Sequence, residues 1–513
     1  MKKVIKSFSL LVTCFCLSEI VYAQGDIDAI RFSSQNITGT ARSLSMAGAF
    51  GALGADFTTL STNPAGIALY KRSEFTITPA LENRITSSDY LGMNAIDNKL
   101  RFNLGNLGIV WAFPKEKKNS AWKGFAFGMG YNRLNSFHSR SYYQGVNTQN
   151  SLLDSYVEEA MGNDPNQLYN NYPYSSGLAY EAYAIDVYGN DTMNYFSVIP
   201  DSTIGKTPTY GELQRRTKET YGLNGEIVLS FGGNYNDKVY WGVTLGFPYV
   251  RYHEDVFYEE RDHNNSIEFD STNGNGAYAQ AYNFSSFGLV QSLYTYGNGF
   301  NAKFGLIFKP IDVLRLGVAI HTPAWYNMHD EYATTMTTSF ENGNNYSYDS
   351  PLGTYNYDLT TPFRAIGSAA FIYRQLGLVS VDYEFVDYST MKLHAHDYSF
   401  VDENDTIRFN YAQQHNIRAG VEFKLGILSF RGGYGYSTGV FRKEVTSPDT
   451  DQHKFTYSGG LGIREEKYFV DFGYSYSKSN EFYRPYTLEN QVVQGVTSEI
   501  TDHRFLLTVG FRF

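Results

Sequence analysis

A strict alternation of apolar and polar residues recurs along this chain and limits what it can fold into. In the final stretch, HRFLLTVGFRF, every second residue from Phe505 to Phe513 is apolar, whereas Arg504 and Arg512 lie in the opposite phase. A period of two residues is that of a β-strand, whose side chains point alternately to the two faces of a sheet. We count about fourteen such stretches, at approximately 74–86, 99–113, 122–137, 217–232, 239–253, 298–309, 313–325, 362–374, 377–388, 411–424, 427–439, 453–465, 468–480 and 502–513.

The connections between these stretches are alternately short and long. The long, polar connections are 138–216, 254–297, 326–361, 389–410 and 481–501. A transmembrane barrel has short turns at its periplasmic end and long loops at its extracellular end, and it usually has an even number of strands. We therefore predict an all-β fold, a transmembrane antiparallel β-barrel of about fourteen strands over residues 73–513, in the outer membrane of a Gram-negative cell. The alternative is an extracellular β-rich protein with accidental alternation.

Residues 1–23 have the organisation of a secretory signal peptide. Three lysines precede an apolar stretch at 8–17, and a small-x-Ala cleavage site ends at Ala23. The alternative is a lipoprotein signal that uses Cys16, although Phe15 stands where a small residue is expected. Cleavage after Ala23 would remove both cysteines, so we expect no disulfide, no thiol nucleophile and no cysteine-bound metal in the mature protein.

The composition argues against several classes of function. A formal net charge of −10 disfavours a nucleic-acid partner, whose phosphates require patches of lysine and arginine. The 44 tyrosines, 37 phenylalanines and 47 glycines, against 14 prolines, fit an exported β-rich protein. The ten histidines are scattered, and we find no Ser/His or Asp/His arrangement above background. We expect no enzyme, no catalytic residue, no cofactor and no metal site.

A barrel of this size encloses more space than one layer of side chains can fill, so it needs a plug or forms an open pore. Residues 24–72 lack the two-residue period and carry a Gly/Ala-rich run that would pack closely in a lumen. We predict that they form an N-terminal hatch. The turn Asn63-Pro64-Ala65-Gly66 then becomes a fixed hinge between the hatch and the first strand, because Pro64 restricts its own backbone and that of Asn63.

Here the sequence resembles a known family. The Gly-rich segment, Asp56 and then NPAG before the first strand look like the N-terminal hatch of the FadL/TodX outer-membrane transport proteins. The stretches FNAKFGLIFKPIDVLRLGVAIHTPAWY and TPFRAIGSAAFIYRQLGLVSVDYEFVDYS resemble middle barrel strands of that family. The resemblance spans nearly the whole mature chain, although residues 138–216 and 254–297 are longer than in a typical member.

The resemblance implies uptake of hydrophobic small molecules, such as long-chain fatty acids or aromatic hydrocarbons. Extracellular loops would capture the ligand, which would pass to a lumen site against the hatch and leave sideways into the bilayer at a kinked strand. On this view Asn63, Pro64 and Ala65 hold the hatch closed and permit its rearrangement. The simpler alternative is that the turn only starts the first strand.

A strand irregularity can be located from the sequence. In residues 102–113 the apolar set moves from even to odd positions across Gly105-Asn106, which indicates a β-bulge. Such a bulge could mark a lateral opening, although ordinary barrel bulges are commoner. The family's kink lies in the third strand, whereas this signal falls in the second.

Charged residues on the polar phase of the strands predict a charged lumen. Three of them, Arg315, Arg364 and Arg431, are candidates to hold a ligand carboxylate, with structural pairing as the commoner role. His394 and His396 would share one face of a strand, which is compatible with the edge of a metal or haem site. Two imidazoles without further ligands more often extend a loop.

Two other functions remain open. A general diffusion porin would use the hatch as a constriction for hydrophilic solutes, and a surface adhesin or haem-binding barrel would use the long Tyr/Asn-rich loops. The expected partners are a hydrophobic ligand, outer-membrane lipid and lipopolysaccharide, and the barrel assembly machinery. We expect a monomer, because a closed barrel leaves no sheet edge to pair.

Overall fold

Fourteen antiparallel strands close into a barrel in the computed structural model, which describes residues 25–115, 120–188, 191–199, 211–263, 284–374, 376–442 and 452–513. The predicted signal peptide lies outside these residues. The strands are β1 (Glu74–Tyr90), β2 (Met93–Pro114), β3 (Trp122–Ser136), β4 (Ser139–Asn147), β5 (Ile185–Tyr188), β6 (Asp191–Ser197), β7 (Glu212–Tyr235), β8 (Val239–Asp262), β9 (Phe284–Ile311), β10 (Leu314–His321), β11 (Trp325–Phe340), β12 (Asn345–Asp349), β13 (Gly353–Thr360), β14 (Arg364–Tyr373), β15 (Gly377–Asp387), β16 (Lys392–His394), β17 (Gln413–Leu425), β18 (Leu428–Ser437), β19 (Lys454–Arg464), β20 (Tyr468–Tyr483) and β21 (Val496–Arg512).

Nineteen of these segments form one sheet, and β5 and β6 form a separate hairpin. Segments that follow one another along the wall make single barrel strands, namely β3 with β4, β10 with β11, β12 with β13 and β14, and β15 with β16. The barrel closes where β1 pairs with β21, from Glu74↔Arg512 to Asp89↔Thr497. The fold class predicted from the sequence is therefore confirmed.

The helices are short and lie inside or above the barrel. They are α1 (Asp26–Ser33), α2 (Ala41–Ser45), α3 (Thr59–Thr62), α4 (Leu152–Ala160), α5 (Pro165–Asn171), α6 (Ser176–Glu181) and α7 (Val401–Asn410), with 3-10 turns at Pro64–Leu69 and Tyr388–Thr390. In the part of the chain that the structure describes, no helix combines the length and apolarity needed to cross a membrane.

The two faces of the wall have opposite character. On β10, Leu316, Val318 and Ile320 point outward and are 43%, 55% and 51% exposed, whereas the alternating Ala319 and His321 are buried. An outward wall of apolar side chains is stable against hydrocarbon and not against water. The protein is accordingly a multi-pass β-barrel of the outer membrane.

Several regions predicted as loops are strands. β8 continues to Asp262 and β9 begins at Phe284, so the described ends of 254–297 belong to the wall, and 326–361 contains β11, β12 and β13. These upper parts stand above the hydrocarbon, where the outward face does not need apolar residues, and the alternation that identifies strands fades there.

The predicted loop 138–216 contains a small folded cap rather than an irregular connection. Helices α4, α5 and α6 and the β5–β6 hairpin pack around a buried apolar cluster that includes Leu153, Leu168, Leu178 and Ile185. Phe284, at the start of β9, belongs to the same cluster, so the cap is packed onto the upper barrel wall.

Two prolines interrupt neighbouring strands at the same level. Pro323 separates β10 from β11, and Pro362 separates β13 from β14. Thr361 compensates for the lost ladder, because its backbone N–H donates to Ala324 O at 3.0 Å and its Oγ1 accepts from Ala324 N at 2.9 Å. The wall therefore stays connected across both breaks.

Candidate functional site

The hatch, described here over residues 25–72, is buried against the inner wall of the barrel. Strands that face it carry glycines, and a Cβ atom at any of them would overlap a hatch residue. The contacting pairs are Gly108 and Phe57, Gly232 and Ile67, Gly242 and Pro64, Gly305 and Asn63, Gly317 and Gly51, Gly420 and Met46, and Gly460 and Ser45. Because these glycines lie on strands from β2 round to β19, the hatch fits the wall over most of its circumference.

A buried ion pair and a buried carboxylate fix the hatch in this position. Arg42 of α2 donates from Nε to Glu422 Oε2 at 2.8 Å and from Nη2 to Glu422 Oε1 at 3.0 Å. Burial acts to lower the pKa of Arg42, but the pairing with Glu422 outweighs it and raises that pKa above its ordinary value, so the guanidinium stays charged. Asp382 Oδ2 also accepts from the backbone N–H groups of Phe50 and Gly51, at 2.9 and 2.8 Å.

The three arginines singled out in the sequence all face inward and have protein partners. Arg315 Nη1 donates to Leu53 O of the hatch at 2.5 Å. Arg364 donates to Glu384 Oε1 at 2.8 Å and to Ser33 O, at the end of α1, at 2.7 Å. Arg431 lies between two carboxylates and donates to Glu422 Oε2 at 2.6 Å and to Asp471 Oδ1 at 2.7 Å.

The Asn63-Pro64-Ala65-Gly66 turn begins the 3-10 turn Pro64–Leu69 and is buried. The Asn63 side chain caps it, because Oδ1 accepts from Ala65 N at 3.1 Å and Nδ2 donates to Gly51 O at 2.6 Å. Asn63 and Pro64 also lie against Gly305 and Gly242, which are paired with each other in the wall. The turn therefore joins two parts of the hatch to the wall.

The wall has a gap between the second and third barrel strands. β2 pairs with β3 from Asn106↔Asn132 to Pro114↔Gly124. Within the described residues, the upper part of β2, 93–104, has ladder partners in β1 alone, and β4 has ladder partners in β7 alone. We call the space between β2 residues 98–105 and residues 133–138 the window.

The window has a defined lower and upper edge. At the lower edge, the β1–β2 register shifts between Thr78 and Pro79, opposite Gly105. Asn106 Oδ1 accepts from Thr78 Oγ1 at 3.0 Å there. At the upper edge Arg140 Nε lies 3.3 Å from Asp97 Oδ2, and Lys99 forms an ion pair with Glu219.

The hatch occupies the strand edge that β2 leaves unpaired. Asn36 N donates to Leu134 O at 3.0 Å, and Thr38 Oγ1 donates to Arg133 O at 2.5 Å. Asn135 Nδ2 donates to Ser34 O at 3.3 Å. Hatch residues 34–38 thus lie behind the window and are held to one of its sides by hydrogen bonds that movement of the hatch would break.

An aromatic cluster lies in the lumen beside the window, next to the Arg31 guanidinium, which is 4.5 Å from the Tyr252 ring centroid. Phe32 of α1 packs edge-to-face on Phe137, with 5.9 Å between ring centroids, and on Tyr252, at 5.7 Å. All three belong to a buried cluster that also contains Met328 and Tyr357. Helix α1 therefore occupies a space lined by the kind of surface that an apolar solute would contact.

The rim of the window carries polar atoms that have no hydrogen-bond partner among the described residues. They are Asn103 Oδ1 and Nδ2, Asn106 Nδ2, Arg133 Nη1 and His138 Nδ1. Arg133 is 6% exposed and Asn103 is 8% exposed, so both are deeply buried. Arg133 also donates from Nε to Leu104 O at 3.1 Å, across the window. The rim can therefore bind further polar groups.

The histidine pair noted in the sequence does not form a metal site with other residues of the described chain. His394 ends β16, and His394 and His396 are both exposed. Among the residues that the structure describes, no group of three or more His, Cys, Asp or Glu side chains is arranged to hold a metal ion.

Two features of the site escaped the sequence reasoning. The sequence indicated the bulge at Gly105-Asn106, at the lower edge of the window, but not the extent of the gap above it, because pairing depends on two strands and the alternation of each reports only on itself. The glycine-lined wall did leave a signal, namely glycine at inward positions of strands, which marks close approach of another backbone.

No protein-family model matches the chain, and no curated protein matches it. Solved structures do match its fold. A FadL homologue of Pseudomonas aeruginosa has a TM-score of 0.54 at 13% identity, covering 94% of this chain and 100% of that one. The Pseudomonas putida toluene transporter TodX has a TM-score of 0.50 at 10% identity, covering 94% and 99%. A TodX variant named as a monoaromatic hydrocarbon channel has a TM-score of 0.51 at 12% identity, covering 93% and 100%.

These likenesses identify the fold as that of the FadL/TodX barrels, and at the level of fold they confirm the resemblance inferred from the sequence. None of the three matched proteins is named as an enzyme.

Proposed function

We propose that this protein is an outer-membrane channel that takes up hydrophobic small molecules, with long-chain fatty acids as the first candidate. The cargo enters from the extracellular loops, reaches the aromatic space beside α1 and leaves sideways through the window into the bilayer. The observation that carries the proposal is the window itself, a gap in the wall whose free strand edge is covered by the hatch.

The position of the hatch favours a sideways route over a straight one. The glycine contacts and the Arg42–Glu422 pair hold the hatch against the wall, so a path along the barrel axis would require all of them to break. A sideways path requires that residues 34–38 leave the edge of β3 and that the Arg133 Nε–Leu104 O hydrogen bond across the window breaks. An apolar solute that leaves through the wall also passes directly into hydrocarbon and avoids rehydration.

The cargo would compete with α1 for the aromatic space. Phe32 lies between Phe137, at the edge of the window, and Tyr252 on β8. An acyl chain or aromatic ring that binds there would displace Phe32, and Ser33 and Ser34 follow it directly in the chain. Displacement of Phe32 would therefore loosen the segment that covers the window.

The polar rim suits a cargo with one polar end. Arg133 Nη1 and the Asn103 amide have unused hydrogen-bonding capacity at the window. A fatty-acid carboxylate could accept from both as it passes, and a hydrogen bond to a charged group is worth about 1.5–3 kcal/mol. While the cargo passes, the Asn63-Pro64-Ala65-Gly66 turn would keep the part of the hatch around it in place against the wall.

A reversible tether across the window tests the proposal. We would replace Asn36 and Asn135, whose side chains are hydrogen-bonded, with cysteine and join them by oxidation or a short thiol-reactive cross-linker. Uptake of a labelled long-chain fatty acid is measured in cells that lack their own transporter. We expect uptake to stop when the tether forms and to return on reduction of the disulfide.

A matched control tethers the hatch elsewhere. Arg72 and Glu466 form an exposed ion pair of 2.7 Å at the short-turn end of the barrel. The corresponding cysteine pair should leave uptake unchanged after oxidation. Uptake that survives the Asn36–Asn135 tether would exclude the window as the exit. Swelling of liposomes that contain the protein in sugar solutions would favour a diffusion porin over a channel for hydrophobic molecules.

A further inference from the structure

The connection between β15 and β17 folds back over the N-terminal helix α1. It lies at the end of the barrel that carries the long loops, and it contains β16 and α7. We call its residues 395–411 the lid. Phe400 and Ile407 of the lid are buried in the same aromatic cluster as Ala29 and Phe32 of α1. The lid therefore covers the aromatic space beside α1 from the extracellular end.

Two hydrogen bonds join the lid to the first residue of α1. Asn410 Nδ2 donates to Asp26 Oδ2 at 3.3 Å, and Tyr411 Oη donates to Asp26 O at 3.1 Å. Tyr411 is itself held from the other side, because it forms a β-bridge with Phe441 and their rings lie 4.8 Å apart. The end of the lid is thus a fixed point to which the start of α1 is attached.

The other end of the lid is held by burial of one ring. Phe400, at the start of α7, has a φ of 49°, in the left-handed region that is unfavourable for a bulky side chain. Its ring packs on Tyr355, Tyr357 and Tyr398, with centroid distances of 6.2, 6.4 and 4.9 Å. A strained backbone of this kind persists only while its surroundings hold it, so withdrawal of the ring would release this end of the lid.

Helix α7 and β16 are joined to each other. Asn404 of α7 accepts at Oδ1 from Leu393 N and donates from Nδ2 to Leu393 O, both at 2.9 Å. These two hydrogen bonds replace a rung of the sheet with a side-chain amide. The lid and the short strand before it therefore form one connected element.

Helix α1 links the lid to the window. The lid holds its first residue, whereas the wall holds its last turn, since Ser33 O accepts from Arg364 Nη2 at 2.7 Å and Phe32 O accepts from Asn224 Nδ2 at 3.2 Å. Residues 34–38, which cover the window, follow α1 directly. A helix of eight residues is about 12 Å long and moves as a unit, so loss of the hold at Asp26 weakens the attachment of the whole segment.

From this geometry we infer that the lid is the entry gate of the channel and also the latch of α1. When the lid lifts to admit cargo, its hydrogen bonds to Asp26 break in the same movement, and the helix ahead of residues 34–38 loses its upper attachment. Entry at the extracellular end and loosening of the window are then coupled. The inference rests on the proposed function and adds the element that controls it.

Hydrogen exchange in the purified full-length protein tests the latch. The double variant N410A/Y411F removes both hydrogen bonds to Asp26 and keeps an aromatic ring at position 411. We expect the amides of 34–38, including the Asn36 N–H that donates to Leu134 O, to exchange roughly tenfold faster, because each lost hydrogen bond contributes modestly. Unchanged exchange in this segment would overturn the latch.

A matched control changes the same helix away from α1. Asp405 and Arg408 form an exposed ion pair of 2.7 Å on α7. The double variant D405A/R408A should leave exchange at 34–38 as in the wild type, since an exposed pair contributes little. Equal acceleration by this control would mean that any change in α7 disturbs the segment, and it would overturn a specific latch at Asp26.

A reversible tether tests the entry gate. Asp26→Cys and Asn410→Cys are combined and joined by oxidation or a short thiol-reactive cross-linker. We expect uptake of a labelled long-chain fatty acid to stop when the tether forms and to return on reduction of the disulfide, so the reduced protein is its own control for folding.

The outcomes separate the lid from the proposed function. If the Asn36–Asn135 tether stops uptake and the Asp26–Asn410 tether does not, the lid is not the entry gate, whereas the window stands as the exit. If the wild type takes up no fatty acid, the proposed function and the entry gate both fail for that cargo. Hydrogen exchange decides the latch in either case.

Discussion

The Arg42–Glu422 pair should control how firmly the hatch is closed, and replacing Arg42 with methionine tests this. Methionine retains most of the apolar stem of the side chain and removes the two hydrogen bonds of 2.8 and 3.0 Å. Glu422 is buried, but Arg431 still donates to it at 2.6 Å, so the carboxylate is not left unpaired. We therefore take the lower end of the range for breaking a buried pair, about 3 kcal/mol.

A loss of about 3 kcal/mol raises the equilibrium constant for opening of the hatch by roughly a hundredfold, because each 1.4 kcal/mol is a factor of ten. Opening can be read from the conductance of single barrels in planar bilayers and from swelling of liposomes in sugar solutions. We expect Arg42→Met to show frequent openings that the wild type rarely shows.

Arg72→Met is the control, since Arg72 and its partner Glu466 are both exposed and such a pair contributes little. If Arg42→Met conducts no more than Arg72→Met, while both are folded in the membrane, the ion pair does not hold the hatch. The other contacts would then suffice for closure.

Three further predictions concern the hatch and the window. Gly108→Ala should destabilise the barrel by about 1–3 kcal/mol because its Cβ overlaps the Phe57 ring, whereas Gly432→Ala, with a nearest heavy atom at 3.7 Å, should leave the melting temperature unchanged. Asn63→Ala should destabilise the hatch by about 1 kcal/mol through loss of the cap, and it should speed hydrogen exchange at the Ala65 amide. Unchanged exchange at Ala65 would contradict the capping role. Arg133→Ala should slow uptake of a fatty acid about tenfold and leave uptake of a neutral aromatic hydrocarbon unchanged. Arg133→Lys should recover part of the fatty-acid rate. Equal slowing of both solutes by Arg133→Ala would indicate a structural role for Arg133.

The sequence predicted those parts of the wall that face lipid. β10 and β21 were located because hydrocarbon requires an apolar outward phase, which leaves a period-two pattern in a single strand. The upper parts of β8 and β9 were assigned to a loop, because above the membrane their outward face meets water and the pattern weakens.

The candidate site was predicted less completely, because much of it consists of contacts between segments that are far apart in the sequence. The Asn63-Pro64 turn could be read locally, since its backbone restrictions belong to adjacent residues. The register shift opposite Gly105 falls where the sequence indicated a bulge, and its role in a lateral exit stays a proposal. The pairing of hatch residues 34–38 with β3 joins segments about a hundred positions apart, and no local pattern encodes it.

The closure of the barrel between β1 and β21 has a consequence for the order of assembly. Ala41 N of the hatch donates to Thr508 Oγ1 at 2.7 Å, and Thr508 Oγ1 lies 2.7 Å from Thr78 Oγ1 on β1. This hatch segment therefore needs β21 to complete its hydrogen bonds, and β21 also completes the cylinder. Sealing of the seam and completion of this hatch contact share one hydrogen-bond network, so a nascent barrel that still lacks its C-terminal strand is open along its side and leaves Ala41 N without its acceptor.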